Sequence, residues 1–260
     1  MCSDFTTSSP IHKAEKLMPT AQPYGRRTSR GQILFAWSVH AYTAISAVAA
    51  FAGVLAVIAS DYRAAFAWMI VATFVDATDG LLARLARVKE ALPQFDGARL
   101  DDIVDYLTYV FLPMVLLYRA GDIPNGPAGA LVACAVLLSS AYGFASLDAK
   151  TDDYFFTGFP SYWNIVALYL HVGELPAAAN AAILLVFVAL VFVRTGYVYP
   201  SRTPVLRGLT VALGAVWAVM VIAMVATLPD VPGWLWIGSL FFPVYYFMLS
   251  LILQRRRQRT

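Results

Sequence analysis

Eight apolar stretches constrain the fold of this chain more than any other sequence feature. Crossing the hydrocarbon core of a bilayer takes about 20 helical residues, and most of the stretches reach that length. The fifth is weak, because Pro160 interrupts it. The stretches are Ile33–Ser60, Ala64–Leu82, Ile103–Ala120, Gly126–Leu147, Phe155–Val172, Ala179–Val193, Gly208–Leu228 and Gly233–Leu253. With 60% hydrophobic and 13% charged residues, the sequence predicts an all-α, polytopic membrane bundle of about eight transmembrane helices, or alternatively six.

The positions of lysine and arginine predict the orientation in the membrane. With eight helices and a cytoplasmic N-terminus, 17 of the 19 basic residues fall inside and only Arg63 and Arg119 fall outside. Cytoplasmic segments carry such an excess, so both termini are expected in the cytoplasm. We expect a polar arm at 1–30, with or without an interfacial helix, a membrane-embedded catalytic domain at 31–254 and a basic tail at 255–260. The tail adjoins a span, so its charges indicate topology rather than binding to nucleic acid.

Four aspartates at helical spacing stand in these apolar segments. Asp76 and Asp79 lie in the second stretch, and Asp101 and Asp105 lie at the start of the third. Residues three or four apart share a helix face, so the carboxylates of two adjacent antiparallel helices can converge. An ionised carboxylate in the bilayer costs roughly 2.5–3.5 kcal/mol and needs a partner. Oxygen ligands select hard cations, and the four therefore predict two divalent ions, Mg²⁺ or Mn²⁺.

Three further residues share the face of Asp76 and Asp79. Gly80 and Ala83 lack bulk and leave room for a ligand near the helix backbone. Arg84 provides a cation suited to bidentate contact with phosphate. This face of the helix is therefore expected to bind a phosphate-bearing ligand.

The alternative interpretation of the aspartates is a structural ion network with Arg84, Arg87 and Arg99. Three arginines cannot neutralise the seven acidic residues between positions 76 and 105, and unpaired charge in the membrane is costly. The metal site is therefore preferred. Asp96 and Asp102 point away from the shared face and are expected to cap a helix or to be solvated.

This pattern resembles the signature of the CDP-alcohol phosphotransferases, DxxDGxxAR followed by GxxxDxxxD. The matching positions are Asp76, Asp79, Gly80, Ala83, Arg84, Gly97, Asp101 and Asp105. The gap of twelve residues between Arg84 and Gly97 is longer than in most of the family. The segments LPQFDGARLDDIVDYLTYVFLP and FFTGFPSYWN are similar to the bacterial branch that makes phosphatidylcholine, and the resemblance covers most of residues 35–250.

The resemblance implies a fold, a reaction and roles for particular residues. It implies a helical enzyme of the bacterial cytoplasmic membrane, usually dimeric, with its active site near the cytoplasmic face. The enzyme would move the phosphatidyl group of CDP-diacylglycerol to choline and release CMP. The ligands of two divalent cations would be Asp76, Asp79, Asp101 and Asp105, with Asp105 also acting as general base. The nucleotide and pyrophosphate site would be lined by Asp79, Gly80, Ala83, Arg84 and Gly97.

Aromatic residues suggest where the acceptor alcohol binds. Choline is a quaternary ammonium, which aromatic faces recognise, and six aromatic residues fall within positions 154–163. Choline contacts are predicted for Tyr154, Phe159, Tyr162 and Trp163, although tyrosine and tryptophan also form interfacial belts in any membrane protein. Contacts with the lipid phosphate are predicted for Ser201 and Arg202, with a topological role for the charge as the alternative.

Two competing functions remain open at this point. A sister enzyme would use serine, inositol or glycerol phosphate, and serine or a phosphate would need a cationic pocket rather than aromatic rings. A divalent-cation transporter would also place aspartates in the membrane, but it would distribute them through the membrane depth. The aspartates here fall at one level beside an arginine and two small residues, which favours the enzyme.

Overall fold

The computed structural model describes residues 29–148, 151, 155–199, 203 and 205–257. The helices are α1 (Arg30–Ile58), α2 (Tyr62–Leu85), α3 (Val88–Ala91), α4 (Gly97–Asp105), α5 (Leu112–Ala120), α6 (Pro127–Ala145), α7 (Trp163–Val172), α8 (Ala177–Phe192), α9 (Arg207–Thr227), α10 (Gly233–Ser239) and α11 (Phe241–Arg257). A π-helical segment, Tyr106–Phe111, joins α4 to α5. Two short strands are β1 (Phe155–Thr157) and β2 (Gly196–Val198). The predictions for residues 1–28, Tyr154, Ser201 and Arg202 concern positions outside these ranges.

Polar caps begin the first two helices. Ser29 and Gln32 form a capping box on α1, in which the Ser29 Oγ accepts from the Gln32 N–H at 3.2 Å and the Gln32 Oε1 accepts from the Ser29 N–H at 2.9 Å. Asp61 caps α2 by accepting a hydrogen bond from the Ala64 N–H at 2.9 Å. Because the connection between them is short, α1 and α2 pack side by side as an antiparallel pair. The hydrogen bond from Thr43 of α1 to Asp79 shows that this part of α2 faces α1.

The helices have the length and surface of membrane spans. Among the described residues, five helices are long and apolar enough to cross a bilayer: Arg30–Ile58, Tyr62–Leu85, Pro127–Ala145, Arg207–Thr227 and Gly233–Arg257. Leu34, Phe74 and Val219 are 72%, 65% and 66% exposed, as expected for side chains that face lipid. The prediction of an all-α polytopic membrane protein is confirmed. The count of eight spans stays a prediction.

The fifth apolar stretch is helical only in its second half. Its helix α7 begins at Trp163, after Pro160, whose ring fixes φ and removes an N–H donor. Residues 155–157 instead form β1, which pairs antiparallel with β2. The ten residues of α7 extend about 15 Å, half of the hydrocarbon thickness. The sequence indicated the interruption at Pro160 but not the ribbon of two strands.

The ribbon of β1 and β2 is hydrogen-bonded to α11. The N–H of Gly196 donates to Oε1 of Gln254 at 3.1 Å, and the N–H of Val198 donates to Oγ of Ser250 at 3.1 Å. Tyr197 is buried against α11, and burial raises the pKa of its hydroxyl, which therefore stays protonated at neutral pH. The contact between ribbon and helix determines where the segment leading into α7 lies.

Candidate active site

Three of the four predicted aspartates converge. Oxygens of Asp76 on α2 and of Asp101 and Asp105 on α4 all lie within 4.8 Å of one another. All three side chains are half-buried. Carboxylates at this separation repel one another, and a cation held between them removes the repulsion. The donor set consists of carboxylate oxygens, which hard divalent cations prefer, so the triad is able to hold a metal ion.

The fourth aspartate, Asp79, does not join the triad within the described part of the chain. It follows Asp76 by one turn of α2 and is 8% exposed. The Thr43 Oγ1 of α1 donates to its Oδ2 at 2.8 Å, and such charge-assisted hydrogen bonds hold a carboxylate firmly. A second hydrogen bond, between the hydroxyls of Tyr42 and Thr78 at 2.8 Å, also joins α1 to α2. The role of Asp79 as a metal ligand stays a prediction.

Arg84 and Gly80 form an open edge beyond Asp79. The Arg84 side chain is exposed and folds back along α2, so that a Cβ atom on Gly80 would lie 3.5 Å from its Nη1. Ala83, on the same side, is half-buried. A guanidinium beside two small residues can approach phosphate oxygens closely. The geometry is therefore suited to the phosphate-binding role predicted for these three residues.

Asp96 and Arg99 stand apart from the triad. The Oδ1 of Asp96 accepts from the N–H groups of Ala98 and Arg99 at 3.1 and 3.2 Å, and its Oδ2 pairs with the Arg99 guanidinium at 3.1 Å. The expected role of Asp96 as a helix cap is thus confirmed. Arg99, one of the arginines of the alternative ion network, forms its ion pair with Asp96 at the start of α4.

Gly97 has a packing role that the sequence did not reveal. A Cβ atom at this position would lie only 2.6 Å from Cε1 of His40 on α1. The imidazole is 5% exposed and packs against the Phe95 ring at 4.5 Å between centroids. A side chain at position 97 would therefore push α4, with Asp101 and Asp105, away from α1. Its predicted contact with the nucleotide stays untested.

We expect Gly97→Ala to destabilise the protein by about 1–3 kcal/mol, the usual cost of overpacking. Thermal unfolding of the detergent-purified protein measures this effect, and adding His40→Ala should restore much of the stability by making room. Gly80→Ala is the matched control, since its Cβ would make only an ordinary contact at 3.5 Å. It should unfold like the wild type but bind CMP more weakly. A Gly97→Ala protein as stable as the wild type would rule out the packing role.

A large apolar cavity lies next to the triad. Its volume is about 560 Å³, within the range of about 300–1,000 Å³ typical of ligand pockets. It reaches the triad through Ala77, which follows Asp76, and through Tyr109, whose hydroxyl donates to Oδ2 of Asp76 at 2.7 Å. Aromatic side chains that line it include Tyr109, Phe159, Tyr162, Trp217, Tyr246 and Phe247. An apolar ligand in this cavity would end beside the carboxylates.

The residues predicted to bind choline divide into two groups. Phe159 and Tyr162 line the cavity, and the Tyr162 hydroxyl lies near enough to Asp76 and Asp105 to experience their charges. Trp163 is fully buried, and its indole N–H donates to Oγ of Ser140 at 2.7 Å. Its ring thus belongs to the helical core rather than to the cavity wall, and this position favours a packing role over the predicted contact with choline.

Sequence reasoning missed several residues that shape the site. Thr43 and His40 lie on α1, outside the motif, and nothing in their spacing indicates that they contact α2 and α4. Trp217 and Tyr246 come from helices far along the chain. Tyr109 continues the spacing of four residues that begins with Asp101 and Asp105, but neither the π segment nor the contact with Asp76 on α2 is indicated by that spacing.

Similar proteins were found among bacterial enzymes, although no protein-family model matches the chain. The phosphatidylcholine synthase of Pseudomonas aeruginosa is 37% identical over 211 residues, which cover 80% of this chain and 88% of the relative. That of Legionella pneumophila is 38% identical over 227 residues, 84% and 88% of the two chains. That of Rhizobium meliloti is 36% identical over 219 residues, 84% and 90%. Similarity of this degree over most of both chains is sufficient to assign a family.

Proposed function

The chain belongs to the bacterial phosphatidylcholine synthases, and we propose on this basis that it transfers the phosphatidyl group of CDP-diacylglycerol to choline, forming phosphatidylcholine and CMP. The observation that carries the proposal is the triad of Asp76, Asp101 and Asp105 beside an apolar, aromatic-lined cavity. The triad suits a pyrophosphate with bound cations, and the cavity suits the apolar part of a lipid. A soluble substrate would need neither the apolar volume nor a position among membrane helices.

The metal site is proposed to hold two divalent cations, Mg²⁺ or Mn²⁺, with Asp76, Asp79, Asp101 and Asp105 as ligands. Three of these carboxylates already lie within 4.8 Å of one another, and the fourth is one helical turn away on α2. When bound, such cations would stabilise the charge that develops on the phosphate and on the leaving CMP. Holding the ions at the correct separation is the task of α2 and α4.

Asp105 is proposed as the general base. The choline oxygen attacks the phosphorus that carries diacylglycerol, the bond from that phosphorus to the CMP oxygen breaks, and the hydroxyl proton passes to the Asp105 carboxylate. Asp105 follows Asp101 by four residues on α4 and precedes by four residues Tyr109, which lines the cavity. Tyr109 and Tyr162 both line this cavity, which is where the acceptor would approach.

The donor nucleotide is proposed to bind along Asp79, Gly80, Ala83, Arg84 and Gly97. The exposed guanidinium of Arg84 would contact the pyrophosphate in a bidentate manner. Ser201 and Arg202 are proposed to contact the lipid phosphate, on the sequence argument alone. The apolar cavity would then receive the hydrocarbon part of the donor, since it adjoins the triad at Ala77 and Tyr109.

The setting is proposed to be the bacterial inner membrane, with both termini and the active site at the cytoplasmic face. The excess of Lys and Arg on the segments assigned to the inside supports this orientation. A cytoplasmic site would have direct access to choline and would release CMP into the cytoplasm. A homodimer is proposed from the resemblance to the family.

We expect Tyr162→Ala to raise the apparent constant for choline about 2- to 30-fold, the equivalent of about 0.5–2 kcal/mol of cation–π interaction. The constant for CDP-diacylglycerol should change less, because Tyr162 is one of many residues that line the cavity proposed for its hydrocarbon part. Tyr162→Phe should be milder than Tyr162→Leu, because the ring rather than the hydroxyl holds the trimethylammonium group. Steady-state kinetics over both substrates measure the effect. Equal losses for both substrates would show that Tyr162 only supports the fold, as we expect for the core residue Trp163.

One assay tests the whole assignment. Purified protein is incubated with CDP-diacylglycerol, Mn²⁺ or Mg²⁺ and a panel of labelled alcohols, namely choline, serine, inositol and glycerol phosphate. We expect release of CMP and formation of labelled lipid with choline, and neither product after chelation of the metal. Activity with serine but not with choline would overturn the choline assignment.

A further inference from the structure

A π-helical segment follows Asp105 directly and reorients the residues beyond it. In a regular α-helix each step of four residues advances about 40° around the axis, so Tyr109 would point about 80° away from Asp101. The wider turn of the segment Tyr106–Phe111 reduces this advance and returns Tyr109 to the side of the triad. Such insertions are rare and occur often at functional sites.

Tyr109 uses this orientation to bind a carboxylate of the triad. Its hydroxyl donates to Oδ2 of Asp76 at 2.7 Å, and the side chain is only 9% exposed. Among the aspartates of the triad, Asp76 alone comes from α2. The hydrogen bond therefore joins α2 to the helix that carries the other two carboxylates.

Two polar side chains of neighbouring helices lie next to Tyr109. Thr73, which precedes Asp76 by one turn of α2, lies beside the Tyr109 hydroxyl and donates to the Met69 carbonyl at 2.9 Å. Asn164 of α7 donates to the Thr73 Oγ1 at 3.3 Å. These groups lie in the wall of an otherwise apolar cavity, where a hydrogen bond is stronger than in water. Thr73 of α2 and Asn164 of α7 thus provide polar surroundings for the tyrosine that contacts Asp76.

We propose that Tyr109 is a positioning residue that orients Asp76 for metal binding. The inference rests on the proposed function, in which Asp76 is a metal ligand. A carboxylate that must ligate a cation from a flexible rotamer loses affinity, and outer-shell hydrogen bonds of this kind remove the flexibility. The π segment is consistent with this role, because its wider turn brings Tyr109 closer to the side of the helix that carries Asp101 and Asp105.

The test measures Mn²⁺ binding to the purified protein without substrates, through the electron paramagnetic resonance signal of free Mn²⁺. Tyr109→Phe removes only the hydroxyl and should weaken Mn²⁺ binding about 10- to 100-fold, as is typical when an outer-shell partner is lost. The Mn²⁺ concentration for half-maximal activity should rise in parallel. Tyr106→Phe is the matched control, since Tyr106 lies in the same π segment but donates to the Leu137 carbonyl at 3.0 Å. It should bind Mn²⁺ like the wild type.

Two further results separate the possible failures. If Asp76→Asn weakens Mn²⁺ binding and Tyr109→Phe does not, the positioning role is overturned while the metal role of Asp76 stands. If Asp76→Asn also leaves Mn²⁺ binding unchanged, the metal role itself is overturned. Equal losses in Tyr109→Phe and Tyr106→Phe would mean a general loosening of the π segment and would overturn the proposal. In an Asp76→Asn background, Tyr109→Phe should have no additional effect.

Discussion

Asp105→Asn is expected to lower turnover about 10²- to 10⁴-fold, the usual contribution of a general base. The amide has nearly the shape of the carboxylate, so packing on α4 is preserved, but it cannot accept the proton of the choline hydroxyl. Asp76 and Asp101 remain in place, and CMP binding in the presence of Mn²⁺ should largely survive. Single-turnover formation of phosphatidylcholine and calorimetric binding of CMP measure the two effects separately.

Asp102→Asn is the matched control for this substitution. Asp102 precedes Asp105 by three residues on α4 and is likewise half-buried. It lies outside the triad of Asp76, Asp101 and Asp105. We expect it to retain most of the turnover. Near-normal turnover in Asp105→Asn would remove Asp105 from the role of base, whereas a joint loss of turnover and CMP binding would indicate a metal ligand without base function.

Asp79→Ala is expected to weaken binding of the divalent cation and of CMP together. The loss should be at least as large as the about 10- to 100-fold typical of a missing outer-shell partner, because a charged ligand of the pyrophosphate site would disappear. Mn²⁺ titrations with and without CMP measure it. An altered concentration of Mn²⁺ for half-maximal turnover should accompany the change.

The hydrogen bond from Thr43 to Asp79, 2.8 Å long, provides the control. Thr43→Val removes the donor with little change in volume and leaves the carboxylate. If Asp79 only joins α1 to α2, the two variants should lose similar stability and should bind Mn²⁺ alike. If Asp79 is a ligand, Asp79→Ala should have the much larger effect on Mn²⁺. Unchanged metal dependence in Asp79→Ala would count against the site with two cations.

The positions of the aspartates were predictable because helical periodicity is local. Residues 76 and 79, and likewise 101 and 105, share a face by spacing alone, and the low polarity of their surroundings indicates that they need a cation. The structure brings three of these carboxylates together. The fourth, Asp79, instead accepts a hydrogen bond from Thr43, a residue of α1 that no rule of local spacing connects with position 79.

The acceptor region was harder to predict from composition. Six aromatic residues between positions 154 and 163 look alike in the sequence, yet Phe159 and Tyr162 line the cavity while Trp163 is buried against Ser140. Residues 155–157 pair with β2, and α7 begins only at Trp163, after Pro160, so the six residues do not share one helix. Strand pairing over about forty residues of chain leaves no periodic signal in either segment.

The sequence by itself determined the class of fold, the membrane setting and the chemistry of the aspartate motif, since these follow from apolar length, the cost of buried charge and helical spacing. The tertiary structure decided which partners surround each group. It placed His40 against Gly97, turned Tyr109 toward Asp76 through the π segment and built the cavity wall from helices as distant as α2 and α11. Such contacts depend on how helices pack against one another, and packing is a property of the whole bundle rather than of any one segment.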